Sequence, residues 1–125
     1  MISAEGVKAL IAQYEKFGWR LRRVLLTREL RARIGDTIGT LFGSAEVFDS
    51  DLDAAWFSRP SRGNGVAWEI RRLDDQPFAL VEVVDVEADE DATDDVFSKL
   101  EADLRGRINK ASAGSHNGLD TTRSG

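Results

Sequence analysis

Residues 66 to 86, VAWEIRRLDDQPFALVEVVDV, place a strand-length run on either side of a turn, and no other stretch restricts the fold as tightly. Alternating β-branched and aromatic residues mark strands. Asp74-Asp75-Gln76-Pro77 is turn chemistry of a length suited to antiparallel neighbours. In the second run Ala79, Val81 and Val83 form one alternate set, and Phe78, Leu80 and Val84 form the other, interrupted by Glu82. A strand apolar on both faces is expected in the middle of a sheet. Pairing Leu73 with Phe78 sets Ile70 opposite Val81 and Trp68 opposite Val83, which builds one apolar face. The same register opposes Glu69 and Glu82, a like-charge pair that an arginine such as Arg71 would have to relieve. A one-residue slip removes that clash but mismatches the faces, so the first register is expected.

Around this hairpin the pattern is α-β-α-β-β-β-α. Val7, Leu10, Ile11 and Tyr14 recur at helical spacing after Ser3, a good N-cap, and Gly18 ends that helix. Trp19 to Leu26 alternates imperfectly and reads as a strand with a basic outer face. Thr27 caps a short helix, Arg28 to Ile34, that stops at Gly35. Glycines 35, 39 and 43 break regular structure, and residues 46 to 53, EVFDSDLD, have no clean period and are expected to be loop or irregular. Ala54 to Arg59 is the strand before the hairpin. A last helix, about Thr93 to Asn109, repeats Phe97, Leu100, Leu104 and Ile108, with acids opening it and bases closing it as the helix dipole favours. Residues 111 to 125 are rich in Ser, Gly, Thr and Asn and are expected to form a disordered tail.

This pattern predicts one α+β domain over residues 1 to 110. Its form is a two-layer sandwich with a mainly antiparallel sheet of about four strands and both long helices on one face. A chain of 125 residues with 42% hydrophobic content supports one core. There is no cysteine, hence no disulfide framework, thiolate nucleophile or cysteine-ligated zinc. No signal peptide or run of about 20 apolar residues is visible, so a cytoplasmic protein away from membranes is expected.

Charge is distributed unevenly. Residues 1 to 62 carry 10 Lys/Arg against 8 Asp/Glu and the remainder 7 against 14, so halves of +2 and −7 make up the net −5. An acidic total argues against nucleic acid as the partner. Catalytic equipment is sparse. The single histidine, His116, falls in the expected tail, and no positioned base accompanies any serine. Glu69, Glu82 and Asp85 could form a carboxylate site for a metal-dependent hydrolase, but cross-strand ion pairing is the plainer role for such charges. The acidic run from Asp85 to Asp95 lacks the glycine and terminal glutamate of a calcium loop, and the three spaced glycines lack the Lys-Ser/Thr that ends a phosphate loop. No catalytic residue, metal or cofactor is therefore expected.

Two constellations remain. Arg20, Arg22, Arg23, Arg28, Arg31 and Arg33 lie within fourteen residues and offer phosphate or acidic-partner binding, unless the chain's own acids neutralise them. Trp56, Arg59, Trp68, Arg71 and Arg72 combine tryptophan with arginine, as protein interfaces do. With both helices on one face, the other sheet face would expose apolar residues. The leading expectation is thus a non-catalytic interaction or dimerisation module, its partner another protein or a second copy, using the face around Trp56, Trp68, Arg71 and Arg72. An anionic-ligand module on the arginine cluster is second, and the hydrolase third.

Overall fold

The structure, a computed structural model, describes residues 2–74 and 78–117. Ser3 Oγ accepts from Gly6 N at 3.1 Å and opens α1 (Ala4–Lys16). Gly18, with φ of 87°, turns the chain out of the helix at an angle that suits glycine alone among common residues. Strand β1 (Arg20–Leu26) follows, and Thr27 caps α2 (Arg28–Ile34) through Leu30 N. A 3-10 turn (Gly35–Thr37) and a single-turn α3 (Ile38–Leu41) fill the glycine-spaced segment. Then come β2 (Glu46–Asp49), β3 (Ala54–Pro60), β4 (Gly65–Arg72), β5 (Ala79–Asp85) and α4 (Glu90–Asn117).

The expected α+β class with a mainly antiparallel sheet is what the chain adopts. Among the described residues the sheet has five strands in the order β2-β1-β3-β4-β5, with β1 and β2 parallel and the other pairs antiparallel. Glu46 to Asp49, expected to be irregular, is the added strand; it pairs Arg23↔Glu46 through Leu26↔Asp49. The middle position belongs to β3, whose first five residues are buried, and the strand apolar on both sides, β5, lies at the edge.

Strand parity fixes the layers. Val24, Leu26, Ala55 and Phe57 pack with Val7 and Ile11 of α1. Leu25, Ala54, Trp56 and Ile70 pack with Phe97, Leu100 and Leu104 of α4. Adjacent residues of one strand point to opposite faces, so α1 and α4 cover opposite sides of the sheet. The arrangement with both long helices on one face, leaving the other bare, is not adopted. Burying the wide aromatics of β3 on both sides demands a helix on each.

The hairpin register also differs from expectation. Ile70 pairs with Leu80, Trp68 with Glu82 and Glu69 with Val81, one residue away from the alignment that opposes the two glutamates. Leu73 N is committed to Asp53 O at 2.8 Å, and it is Arg72 N that donates to Phe78 O at 2.8 Å. The slip leaves Leu80 facing α4 and turns Val81 to the α1 side. Of the expected turn, residues 75–77 lie outside the described residues. Helix α4 begins earlier than expected because Asp89 caps it, its Oδ1 accepting from Ala92 N at 2.8 Å. The helix reaches Asn117, past the expected boundary at 110. The rest of the expected tail, 118–125, lies outside the described residues.

Candidate functional site

The tryptophan-arginine constellation is divided between the two faces. Trp56 is 0% exposed, closed in by Phe97 at 4.7 Å between ring centroids and donating Nε1 to Glu101 at 3.0 Å. Trp68 is partly buried beside it, meeting Trp56 and Phe97 edge-on at 6.4 and 4.8 Å. Arg72 is on the same face, ion-paired to Asp74 at 3.1 Å and 5.8 Å from the Phe78 ring. Arg59 and Arg71 are on the α1 face. Arg59 stacks over Trp19 at 4.5 Å and donates to Phe17 O at 3.1 Å. The expected interaction face around Trp56 is therefore covered by α4 and not available as a surface.

The carboxylates separate in the same way. Glu69 accepts the Tyr14 hydroxyl hydrogen bond on the α1 face. Glu82, one face across, holds Lys99 of α4 at 3.3 Å. Asp85 Oδ1 accepts from Glu87 N at 2.8 Å. Glu69 and Glu82 cannot converge on one ion, and among the described residues no group of three metal-ligating side chains is close enough to hold a metal.

Exposed apolar surface lies instead where α1 fails to reach. Val81 and Val83 of β5 are 57% and 56% exposed, and Ala79 beside them is also exposed. These three share the α1 face with Ala67, Glu69 and Arg71 of β4. Phe17 and Val86 are exposed as well. The backbone adds to this surface. Arg72 with Phe78 and Asn64 with Val86 are the hydrogen-bonded type of antiparallel pair, so even-numbered residues of β5 direct their peptide groups at β4. Ala79, Val81 and Val83 direct theirs outward, where no strand among the described residues takes them, whereas Asp85 O already accepts from Ala88 N at 2.9 Å. Side chain and backbone of the same residues are thus open to a partner.

A second surface lies on the α4 side of β1. The β1–β3 register shifts between Leu21 and Arg23, a bulge that inserts Arg22 as an extra residue. Consequently Arg22 and Arg23 both face the α4 side, where Arg22 lies 6.0 Å from the Trp68 ring and Arg23 lies 4.6 Å from Phe97 and 5.7 Å from Phe48. With Arg20, Ser44 and Glu46 they line a cleft of about 330 Å³. A larger cleft of about 630 Å³ between α1 and α3, containing Lys8, Glu5 and Glu15, shares Arg20 with it.

The acidic run 85–95 answers none of the arginine cluster. Arg31 pairs with Asp49 at 2.9 Å, while Arg20, Arg22, Arg23, Arg28 and Arg33 have no ion pair among the described residues. Arg28 and Arg33 are exposed on α2, apart from the cleft. The imperfect alternation of Trp19 to Leu26 was the trace of the bulge in the sequence. Comparison with protein-family models, curated proteins and solved structures gives no match.

Proposed function

We propose that this protein is a non-catalytic association module that pairs with a second copy of itself through the β5 edge. The observation carrying this reading is that Val81 and Val83, more than half exposed, sit on a strand whose outward peptide groups at Ala79, Val81 and Val83 have no strand partner among the described residues. Natural sheets usually blunt such an edge with lysine, proline or a bulge, and Ala79–Asp85 contains none of these.

The strand chemistry selects a two-fold partner and its register. An antiparallel β5–β5 pair centred on Val81 sets Val81 against Val81 and Ala79 against Val83, all on the open face. On the other face it sets Leu80 against Glu82, whose charge Lys99 already answers. Centring the pair on Glu82 would oppose two carboxylates, and centring it on Val83 would oppose Val81 to Asp85, so both are disfavoured. Residues related by a two-fold meet their own counterparts, as an isologous interface requires. A seven-residue strand pair with its flanking side chains falls short of the roughly 1,600 Å² of a standard stable interface, so association depends on concentration.

Light scattering after size exclusion tests this across a wide range of protein concentration. The wild-type chain is expected to move from monomer to dimer, and Val81→Lys, which puts two ammonium groups at the axis, is expected to stay monomeric with unchanged circular dichroism. Because the chain has no cysteine, Val81→Cys should give a disulfide-linked dimer under mild oxidation, since paired Cα atoms about 5.5 Å apart suit that bond. A wild type that stays monomeric at the highest concentration overturns the reading.

A further inference from the structure

We infer that the β1 bulge builds a binding site for a small phosphate-bearing ligand, gripped by Arg20, Arg22 and Arg23 beside Trp68. Three features carry this inference. First, regular alternation would send Arg22 and Arg23 to opposite faces, and the bulge brings them to one, a device often found beside functional sites. Second, β1 extends past its parallel neighbour. Pairing with β2 begins at Arg23↔Glu46, so Arg20 to Arg22 border open space where Ser44 lies instead of a strand. Third, the three guanidinium groups have no ion pair among the described residues, so their charge is available to a ligand.

Guanidinium groups suit phosphate because their N–H groups meet two oxygens at once. Arg23 lies close to two aromatic rings, Phe97 at 4.6 Å and Phe48 at 5.7 Å, which orient the guanidinium without neutralising it. A cleft of about 330 Å³ is at the small end of ligand sites. The charge around it also restricts size. Helix α4, which packs on this face, carries Glu90, Asp91, Asp94, Asp95, Glu101 and Asp103. A long polyanion would run into that acidic helix, whereas a compact one need only enter the cleft. Among the described residues Glu46 is the one carboxylate lining the cleft itself, and it weakens the site.

Isothermal titration calorimetry with inorganic pyrophosphate tests the assignment. One saturable site per chain is expected. Arg20→Gln with Arg22→Gln, both at exposed positions, should weaken binding about tenfold or more, while the urea midpoint stays near that of wild type. Glu46→Gln should tighten binding, a change that a merely structural arginine pair would not give. Val81→Lys should bind as wild type does, because Val81 faces the α1 side of the sheet and Arg22, Arg23 and Trp68 face the α4 side. The inference is overturned by no saturable heat with pyrophosphate, by undiminished binding in the arginine double variant, or by loss of binding in Val81→Lys. It is equally overturned if a single-stranded oligonucleotide binds much more tightly than pyrophosphate with the steep salt dependence of many phosphate contacts. Failure of pyrophosphate binding leaves the dimer reading intact, and a monomeric wild type leaves this site intact.

Discussion

Removing the hydroxyl of Tyr14 should make the stability of this protein much less sensitive to alkali. The Tyr14 ring stacks on Phe57 with centroids 4.1 Å apart, and its hydroxyl donates to the Glu69 carboxylate. Burial, reinforced by the hydrogen bond to Glu69 and by its charge, and opposed by Arg71, pushes the phenol up to about 12 from 10.0. In the unfolded chain the phenol loses its proton near 10, so between pH 10 and 12 the folded state binds more protons and stability falls as pH rises. The stabilisation is complete below about pH 10 and is lost on approaching pH 12. Two pH units correspond to about 2.7 kcal/mol at 1.36 kcal/mol per unit. Because Tyr14 is only half-buried, solvent screening reduces this to about 1–2 kcal/mol. Tyr14→Phe keeps the ring stack and loses the titrating group. The stability difference between wild type and variant, from urea unfolding, should therefore shrink by that amount between about pH 9 and about pH 11.5. Tyr14 is the single tyrosine of the chain, so the ultraviolet tyrosinate band of the native protein reports it alone. Glu69→Gln should lower the native midpoint by removing the repelling carboxylate. A native phenol that ionises near its ordinary value refutes the reasoning.

Leu104→Ala should destabilise by about 2–5 kcal/mol in urea unfolding, because Leu104 is fully buried between α4 and the sheet; a change near zero would show that α4 is not docked. Thr27→Val should cost about 1–2 kcal/mol, since the hydroxyl both caps Leu30 N and donates to Asp53 Oδ2 at 3.1 Å. Burial raises the Asp53 carboxyl while the Thr27 N–H and hydroxyl oppose the rise. The cost should therefore diminish as pH falls through the Asp53 titration, and a pH-independent cost would assign the effect to the cap alone.

The helix signals were local and could be read directly. Ser3, Thr27 and Gly35 act within one turn of the groups they satisfy, so α1 and α2 begin and end where those residues stand. Strand placement depends on neighbours that local pattern does not encode. Glu46 to Asp49 is a strand because β1 offers it a parallel edge; its own four residues, three of them exposed, carry little periodicity. Valine at 81 and 83 satisfies strand propensity whether or not a layer covers it, and apolar composition therefore suggested a central strand where the chain has an edge. The hairpin register turned on Leu73, whose N–H is taken by Asp53 O from outside the hairpin. Among candidate site residues, the six arginines were visible as a cluster, but only the bulge separates Arg20, Arg22 and Arg23, which share a cleft, from Arg28 and Arg33 on α2.

The bulge and the bare valines have a common origin in how this sheet ends. A five-stranded sheet flanked by one long helix on each face has its middle well covered, and its two outer strands depend on what lies beyond them. Strand β2 closes only the second half of β1, leaving Arg20 to Arg22 beside a cleft. Helix α4 packs on one face of β5, and α1 does not extend over the other. Charge sorts these two openings: the first falls among arginines, where self-association would bring like charges together, and the second among valines, where it would not. In a β5–β5 dimer the strand order would run outward from the axis through β4, β3 and β1. Seven strand spacings of about 4.8 Å would then separate the two β1 strands by about 34 Å. That distance is several Debye lengths at physiological salt, about 8 Å each, and although each cleft reaches inward to Trp68 of β4, the backbone positions of its arginines would lie far from the axis. Dimerisation through β5, if it occurs as proposed, would thus leave the two proposed arginine clefts on opposite sides of the two-fold axis of one continuous sheet.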